Sequence, residues 1–208
     1  MSNSMIHWNG HQLCAIDTET TGLDSAIHEM IQICILPLDS NLDPRQDVIP
    51  FFVTLKPDNP EALSREAMKV TGLKIEDLLN QGMDRFAAID LFEDWYKKLN
   101  LPTTRGGYPK RIMPLGQNYA FDKAFILRWM GHSTYEEYFF YHYRDTMIAA
   151  LFLNDHAAVH GEDIPFKKVN LSWLAKETLT PLERAHDALQ DCLATAGVYK
   201  KLIHRGLV

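Results

Sequence analysis

Three cysteines in 208 residues, none in a CxxC spacing, leave no material for a disulfide framework or a thiolate zinc site. The odd count points to a reducing compartment, read as the cytoplasm. No apolar run approaches the roughly 20 residues that a bilayer-spanning helix needs. The N-terminal MSNSMIHWNG has neither the basic nor the apolar region of a secretion signal. Basic charge is scarce as well: 21 Lys and Arg stand against 27 Asp and Glu, a net charge of -6. Strong non-specific coating of duplex nucleic acid is therefore not expected. The charge balance leaves a nucleic acid substrate open, because a bound divalent cation reverses the local sign. There is no P-loop, no GxGxxG, no G-x-S-x-G elbow and no internal repeat. His156 and His160 have HxxxH spacing, but Ala157 stands where a zincin needs Glu, and no third ligand follows.

What remains is an ordinary globular composition, 46% hydrophobic and 23% charged, with length for one substantial core. The expectation is one domain over residues 1–208, with a short polar lead-in over 1–12. Apolar stretches at 13–18, 27–38 and 49–55 read as three strands with short links, hence an antiparallel meander. Helical patterning follows at 60–70, 75–79 and 86–99. A short strand is predicted at 112–115 and a helix at 120–130. Strand-like and then helical residues follow over 141–153, a surface loop over 154–169, and helices over 171–177 and 188–204. The aromatics Phe139, Phe140, Tyr141 and Tyr143 read as a buried strand or a dimer contact in preference to the lining of a nucleotide site. Strands in a run, then strands alternating with helices, give a mixed α/β layer fold.

The stretch AIDTETTGLD, residues 15–24, organises the rest. An apolar strand ends in Asp17 and Glu19, which two-residue spacing puts on one face. Two adjacent carboxylates at the end of a core strand repel each other, and a divalent cation between them removes the conflict. Later segments bring more acids onto apolar elements. Asp122 sits in the first turn of the helix at 120–130, where the helix dipole alone would favour it and Asn118 fits an N-cap. Asp191 falls in a row of small or apolar side chains (Ala188, Thr195, Val198) on a helix covered on two faces, where an unpaired carboxylate costs several kcal/mol. Asp187, one turn earlier, competes with it as a ligand but has a capping role at the helix start. His186 precedes that helix, and a neutral imidazole beside a metal-bound water is what a general base requires.

AIDTETTG, NYAFD and HDALQD, in this order, resemble the DEDDh exonucleases, which include the proofreading subunit of bacterial DNA polymerase III and ribonuclease T. The resemblance covers nearly the whole chain. It implies a ribonuclease H-like fold, a central five-stranded mixed sheet with helices on both faces. It also implies 3′→5′ removal of mononucleotides from single-stranded ends with two divalent ions, Mg²⁺ or Mn²⁺. Asp17, Glu19, Asp122 and Asp191 match the family's metal ligands and His186 its general base. Thr71-Gly72-Leu73 stands where members commonly have His-Gly-Ile, so that histidine is absent here. Asp145-Thr146 resembles the Asp-Thr after the fifth strand and reads as a structural acid. Thr20, Thr21, Gly22, Leu23, Asn118 and Phe121 are candidate contacts to the terminal nucleotides, and Arg105, Lys110, Arg111, Lys167 and Lys168 candidate backbone contacts.

DNA is favoured as the substrate. A ribonuclease T-like trimmer of RNA ends is the first alternative, and a non-catalytic nucleic-acid-binding subunit of a larger complex ranks below it. The length fits a freestanding enzyme, with a homodimer or a polymerase or repair partner left open.

Overall fold

The structure is a computed structural model and describes residues 6–7, 10–183 and 185–205. Its centre is β2 (His11–Thr20), flanked by β3 (Met30–Pro37), β5 (Ile112–Gly116) and two short strands, β4 (Phe51–Thr54) and β6 (Arg144–Asp145). The sheet order is β4-β3-β2-β5-β6, and the two-residue β1 (Ile6–His7) pairs with the start of β2. β2, β3 and β4 pair antiparallel, as the meander expectation has it, while β5 and β6 run parallel to β2. Of the expected lead-in, residues 1–5, 8 and 9 lie outside the described residues, and His11 already belongs to β2.

Both faces of β2 are buried because each meets helices, so the strand is almost continuously apolar up to its end. Cys14 and Ile16 face a core built with α3 (Arg85–Lys98), α4 (Tyr119–Met130) and α5 (His132–Tyr138), with Phe92 packed among Phe51, Trp95, Trp129, Tyr138 and Phe139. Leu13 and Ala15 face α8 (Ala188–Arg205), packing with Cys192, Ala196 and Tyr199. A smaller third core joins α8 to α6 (Thr146–Val159) and α7 (Leu171–Glu177). Two short helices, α1 (Arg65–Thr71) and α2 (Ile75–Gln81), link β4 to α3.

Several expectations are corrected in detail. The helix expected to end near residue 130 is followed by α5, which begins directly after Gly131, whose φ of 82° turns the chain. Phe139 is core rather than strand, while Tyr141 is exposed. The stretch 154–169 is only partly loop: α6 continues to Val159, and Phe166 is buried with its N–H and C=O both bonded to the Asn154 side chain. On α8, Leu193 is 37% exposed. His156 and His160 stack at 4.3 Å near the end of α6, with His160 Nδ1 paired to the His156 carbonyl. All three cysteines are free and buried, and among the described residues no helix is long and apolar enough to cross a membrane.

Candidate active site

Strand alternation decides where each group at the end of β2 points. Asp17 and Glu19 share the α8 face with Leu13 and Ala15, while Thr18 points to the α4 face. The pairing with β3 shifts register between Glu19 and Thr20, an irregularity that ends the regular ladder where the acids stand. Gln32, opposite Glu19 on β3, accepts the Ala188 N–H at 3.2 Å and ties the first residue of α8 to the sheet. One turn further along α8, Asp191 comes over Glu19. Asp187 is occupied as a cap, its Oδ1 accepting the Gln190 N–H at 3.1 Å, and it lies outside the cleft lining.

Asp122 arrives from the other side of the sheet. β5 lies parallel beside β2, so α4 starts at the same edge at which β2 ends. The Thr18 N–H (3.0 Å) and hydroxyl (2.7 Å) both donate to Asp122 Oδ1. Asn118 does not cap α4 with its side chain; its backbone is left-handed at φ 60° and its side chain makes no capping bond. The cap comes from Asp145, whose carboxylate accepts the Asn118 and Tyr119 N–H groups and also those of Met147 and Ile148 at the start of α6. Asp145 therefore holds two helix starts together, in keeping with a structural acid.

These elements enclose an open cleft of about 740 Å³ at the carboxyl ends of β2 and β5. Asp17, Glu19, Asp122, His186 and Asp191 all line it. One ligand atom from each of Glu19, His186 and Asp191 lies within 4.8 Å of the other two. His186 is exposed, with a left-handed backbone at φ 67° and its N–H donating to Asp191 Oδ2 at 3.0 Å. Asp191 Oδ1 is buried and has no hydrogen-bond partner.

The electrostatics are those of buried carboxylates packed at mutual cost. Burial raises the Asp17 carboxyl well above the usual range, reinforced by the charges of Asp122, Asp191 and Glu19. Glu19 is pushed up to about 8 by burial and then by Asp191 and Asp122. Burial raises Asp122 too, opposed by the Thr18 hydroxyl bond, and raises Asp191, opposed by the His186 N–H. Among the described residues no lysine or arginine lines the cleft. The orphaned Asp191 oxygen, the carboxylates at mutual cost and the hard oxygen donors together fit divalent cations of the Mg²⁺ or Mn²⁺ class.

Of the candidate substrate contacts, Thr20, Gly22, Leu23 and Phe121 line the cleft, while Thr21 and Asn118 do not. Leu23 is 85% exposed at its rim, and Phe121 packs on Phe125 at 4.9 Å while facing the cleft. Thr21 is buried and exchanges hydrogen bonds with Glu29 and Ser64, which shapes the turn. That turn is latched from outside. Arg128 Nη1 donates to the Ser25 and His28 carbonyls at 2.6 and 2.8 Å, and the His28 ring lies on Gly22, where a Cβ would come within 2.3 Å of it. Residues not anticipated from the sequence complete the lining: Asp24, His28, Gln117, and Ser64, Glu66, Ala67 and Val70 around α1, with Thr71 at its end. Gln117, in a polar turn directly after a strand, carried a readable signal, and Thr71 stands at a position of family resemblance; Ser64, Glu66, Ala67 and Val70 carried no signal of their own.

Residues 14–105 match the sequence model of RNase_T, the exonuclease family. No curated protein matches the chain. Among solved structures, the fold is similar to exonuclease I from Methylocaldum szegediense, with a TM-score of 0.70 and 21% identity over 94% of this chain and 41% of that one. Cell-death related nuclease 4 (CRN-4) gives 0.70 and 20% over 94% and 64%. Zinc-bound E. coli exonuclease I in complex with single-stranded DNA gives 0.72 and 18% over 94% and 41%. The chain thus spans about two fifths of the exonuclease I structures and under two thirds of the nuclease 4 structure. At these identities the structural likeness speaks to the fold, and the family sequence lies in the segment that carries Asp17 and Glu19. Residues 14–105 thus resemble the exonuclease family in sequence, and the whole chain shares the fold of the exonuclease I structures.

Proposed function

We propose that the chain is a metal-dependent 3′→5′ exonuclease that releases mononucleotides from single-stranded ends, with DNA favoured over RNA. One observation carries this reading: Glu19, His186 and Asp191 converge within 4.8 Å in a cleft also lined by Asp17 and Asp122, with Asp191 Oδ1 left unpartnered. Asp17, Glu19 and Asp191 would hold one ion beside His186, and Asp122, with Asp17, a second. Such ions, when bound, lower the pKa of an attacking water and stabilise the leaving 3′ oxygen.

The chain's own residues do the rest. His186 takes the proton of the nucleophile, and because it is exposed it can pass that proton to solvent. Thr18 keeps Asp122 aimed by holding its Oδ1. Leu23 and Phe121 provide apolar faces for the terminal bases, and the Arg128 latch keeps the Leu23 turn in place. Single-stranded DNA as substrate is supported by the E. coli exonuclease I structures, which were obtained with dA16 and dT13 oligonucleotides.

The test is hydrolysis of end-labelled single-stranded DNA and RNA of one sequence, side by side, with Mg²⁺, Mn²⁺ or EDTA. The expected result is stepwise loss of 3′ nucleotides, faster on DNA, abolished by EDTA and by Asp17→Asn. His186→Ala should lower kcat by about 10²–10⁴-fold, the usual contribution of a general base. Full activity in EDTA or in Asp17→Asn would overturn the metal assignment, and faster loss from RNA would overturn the sugar preference.

A further inference from the structure

We propose that Lys168, Trp173 and Lys176 form a platform beside the cleft for the single strand upstream of its 3′ end. This rests on the exonuclease reading and names a surface which that reading does not require. Among the described residues the cleft is lined by carboxylates without a lysine or arginine, so cations outside it are the ones placed to meet the phosphates behind the scissile one.

One wall leads directly to a cationic surface. Gln117 lines the cleft, and its side-chain amide donates to the Val169 carbonyl at 2.7 Å, so the segment around Val169 borders the opening. That segment is firmly held: Phe166 is buried, Asn154 grips its backbone at both N–H and C=O, and Asn170 caps α7 by accepting the Trp173 N–H at 2.9 Å. Lys168 and Lys176 are exposed, yet both ammonium groups stand over one indole ring, at 5.3 and 5.7 Å from the Trp173 centroid.

Two like charges gathered on one aromatic ring repel each other and call for an anion between them. Among the described residues neither lysine has a carboxylate at ion-pair distance, the four such pairs lying elsewhere. Backbone phosphates supply that anion, and the half-buried indole offers a flat face once a lysine swings to a phosphate. Cation plus aromatic in a pre-positioned pair is the chemistry that holds single-stranded nucleic acid without reading its sequence.

The experiment compares kcat/KM for a dodecamer and for a dinucleotide with the same 3′ end, in Mg²⁺, over a series of NaCl concentrations. The proteins are the wild-type chain, the double variant Lys168→Gln/Lys176→Gln, and Trp173→Leu. The expected result is a fall of roughly ten- to a hundredfold in the dodecamer-to-dinucleotide ratio for each variant. For the double variant the log–log salt slope of the dodecamer should flatten by about 1.4, which is about 0.7 per lost phosphate contact on a single strand. Hydrolysis of the dinucleotide reports that a variant is folded. Ratios and salt slopes equal to the wild type, with both substrates cleaved, would overturn the platform alone. Hydrolysis of neither substrate by the wild type would overturn the exonuclease reading beneath it. Displacement of the dodecamer by polyglutamate as readily as by an unlabelled oligonucleotide would also overturn the platform, marking the surface as a site for acidic polypeptide.

Discussion

Thr18 and Asp122, 104 positions apart, are joined by two hydrogen bonds at one oxygen: the Thr18 N–H at 3.0 Å and its hydroxyl at 2.7 Å both donate to Asp122 Oδ1. Thr18 stands between Asp17 and Glu19 in sequence but points to the opposite face of the sheet. A single tripeptide thus serves both sides of the site. Its two acids meet α8, and its threonine orients the acid of α4.

Replacing Thr18 with valine removes the hydroxyl and keeps the branched strand side chain and the backbone bond. Losing an outer hydrogen bond to a metal-ligating carboxylate usually weakens metal binding 10–100-fold. In Thr18→Val the Mg²⁺ concentration for half-maximal activity should rise by about that factor, with kcat largely recovered at saturating Mg²⁺. A titration of activity against Mg²⁺ checks this, and an unchanged midpoint would show that the hydroxyl does not govern Asp122.

The raised carboxylates make stability depend on pH and metal together. Burial pushes Glu19 up to about 8 and also raises Asp17, Asp122 and Asp191. In the unfolded chain such groups titrate near 4. Between about pH 4 and 8 the metal-free folded protein therefore holds protons that the unfolded chain has already lost. The contribution of these groups is fully present below that window and is lost as pH rises through it. Mg²⁺ binds only once the ligands have shed protons, and binding the folded state alone stabilises it. Calorimetric melts in EDTA and in Mg²⁺ should show a larger Mg²⁺-induced gain in Tm at pH 8 than at pH 5. Glu19→Gln should flatten the pH dependence of the EDTA series. Equal gains at the two pH values would contradict the raised carboxylates.

Asp145→Ala should act on the fold rather than on the metal. Its carboxylate accepts four backbone N–H groups, at Asn118, Tyr119, Met147 and Ile148, and so caps both α4 and α6. Losing a helix cap costs about 0.5–2 kcal/mol, so losing two should cost about 2 kcal/mol. For a chain of this size that corresponds to roughly 4–8 °C in Tm. The fall should be the same with and without Mg²⁺, and a shift in the Mg²⁺ dependence of activity would instead assign Asp145 to the metal.

Much of this was legible before folding was considered. The apolar run ending in Asp17 and Glu19 announces a buried strand with paired acids, because side chains two apart share a face. The motifs NYAFD and HDALQD, in that order, single out Asp122, His186 and Asp191, which line one cleft with Asp17 and Glu19. The short link between β2 and β3 gives their antiparallel order, because it leaves no room for a crossover. Less was legible where local chemistry offers an alternative. Asn118 has the right residue type for a cap, yet Asp145, 27 positions away, takes the role. His132–Tyr138 is polar and short, and it is helical because Tyr135 and Phe139 reach the core.

The sequence by itself determined which residues carry the charges and which stretches must be buried, since residue type and strand or helix period are local properties. Only the tertiary structure decided that Gln32 of β3 meets the start of α8, 156 positions away, that α1 lines the cleft with the acids, and that Lys168 and Lys176 share one indole. Those relationships arise from packing between elements far apart in the chain, where the neighbour is set by the burial of whole faces and leaves no periodic mark on either segment.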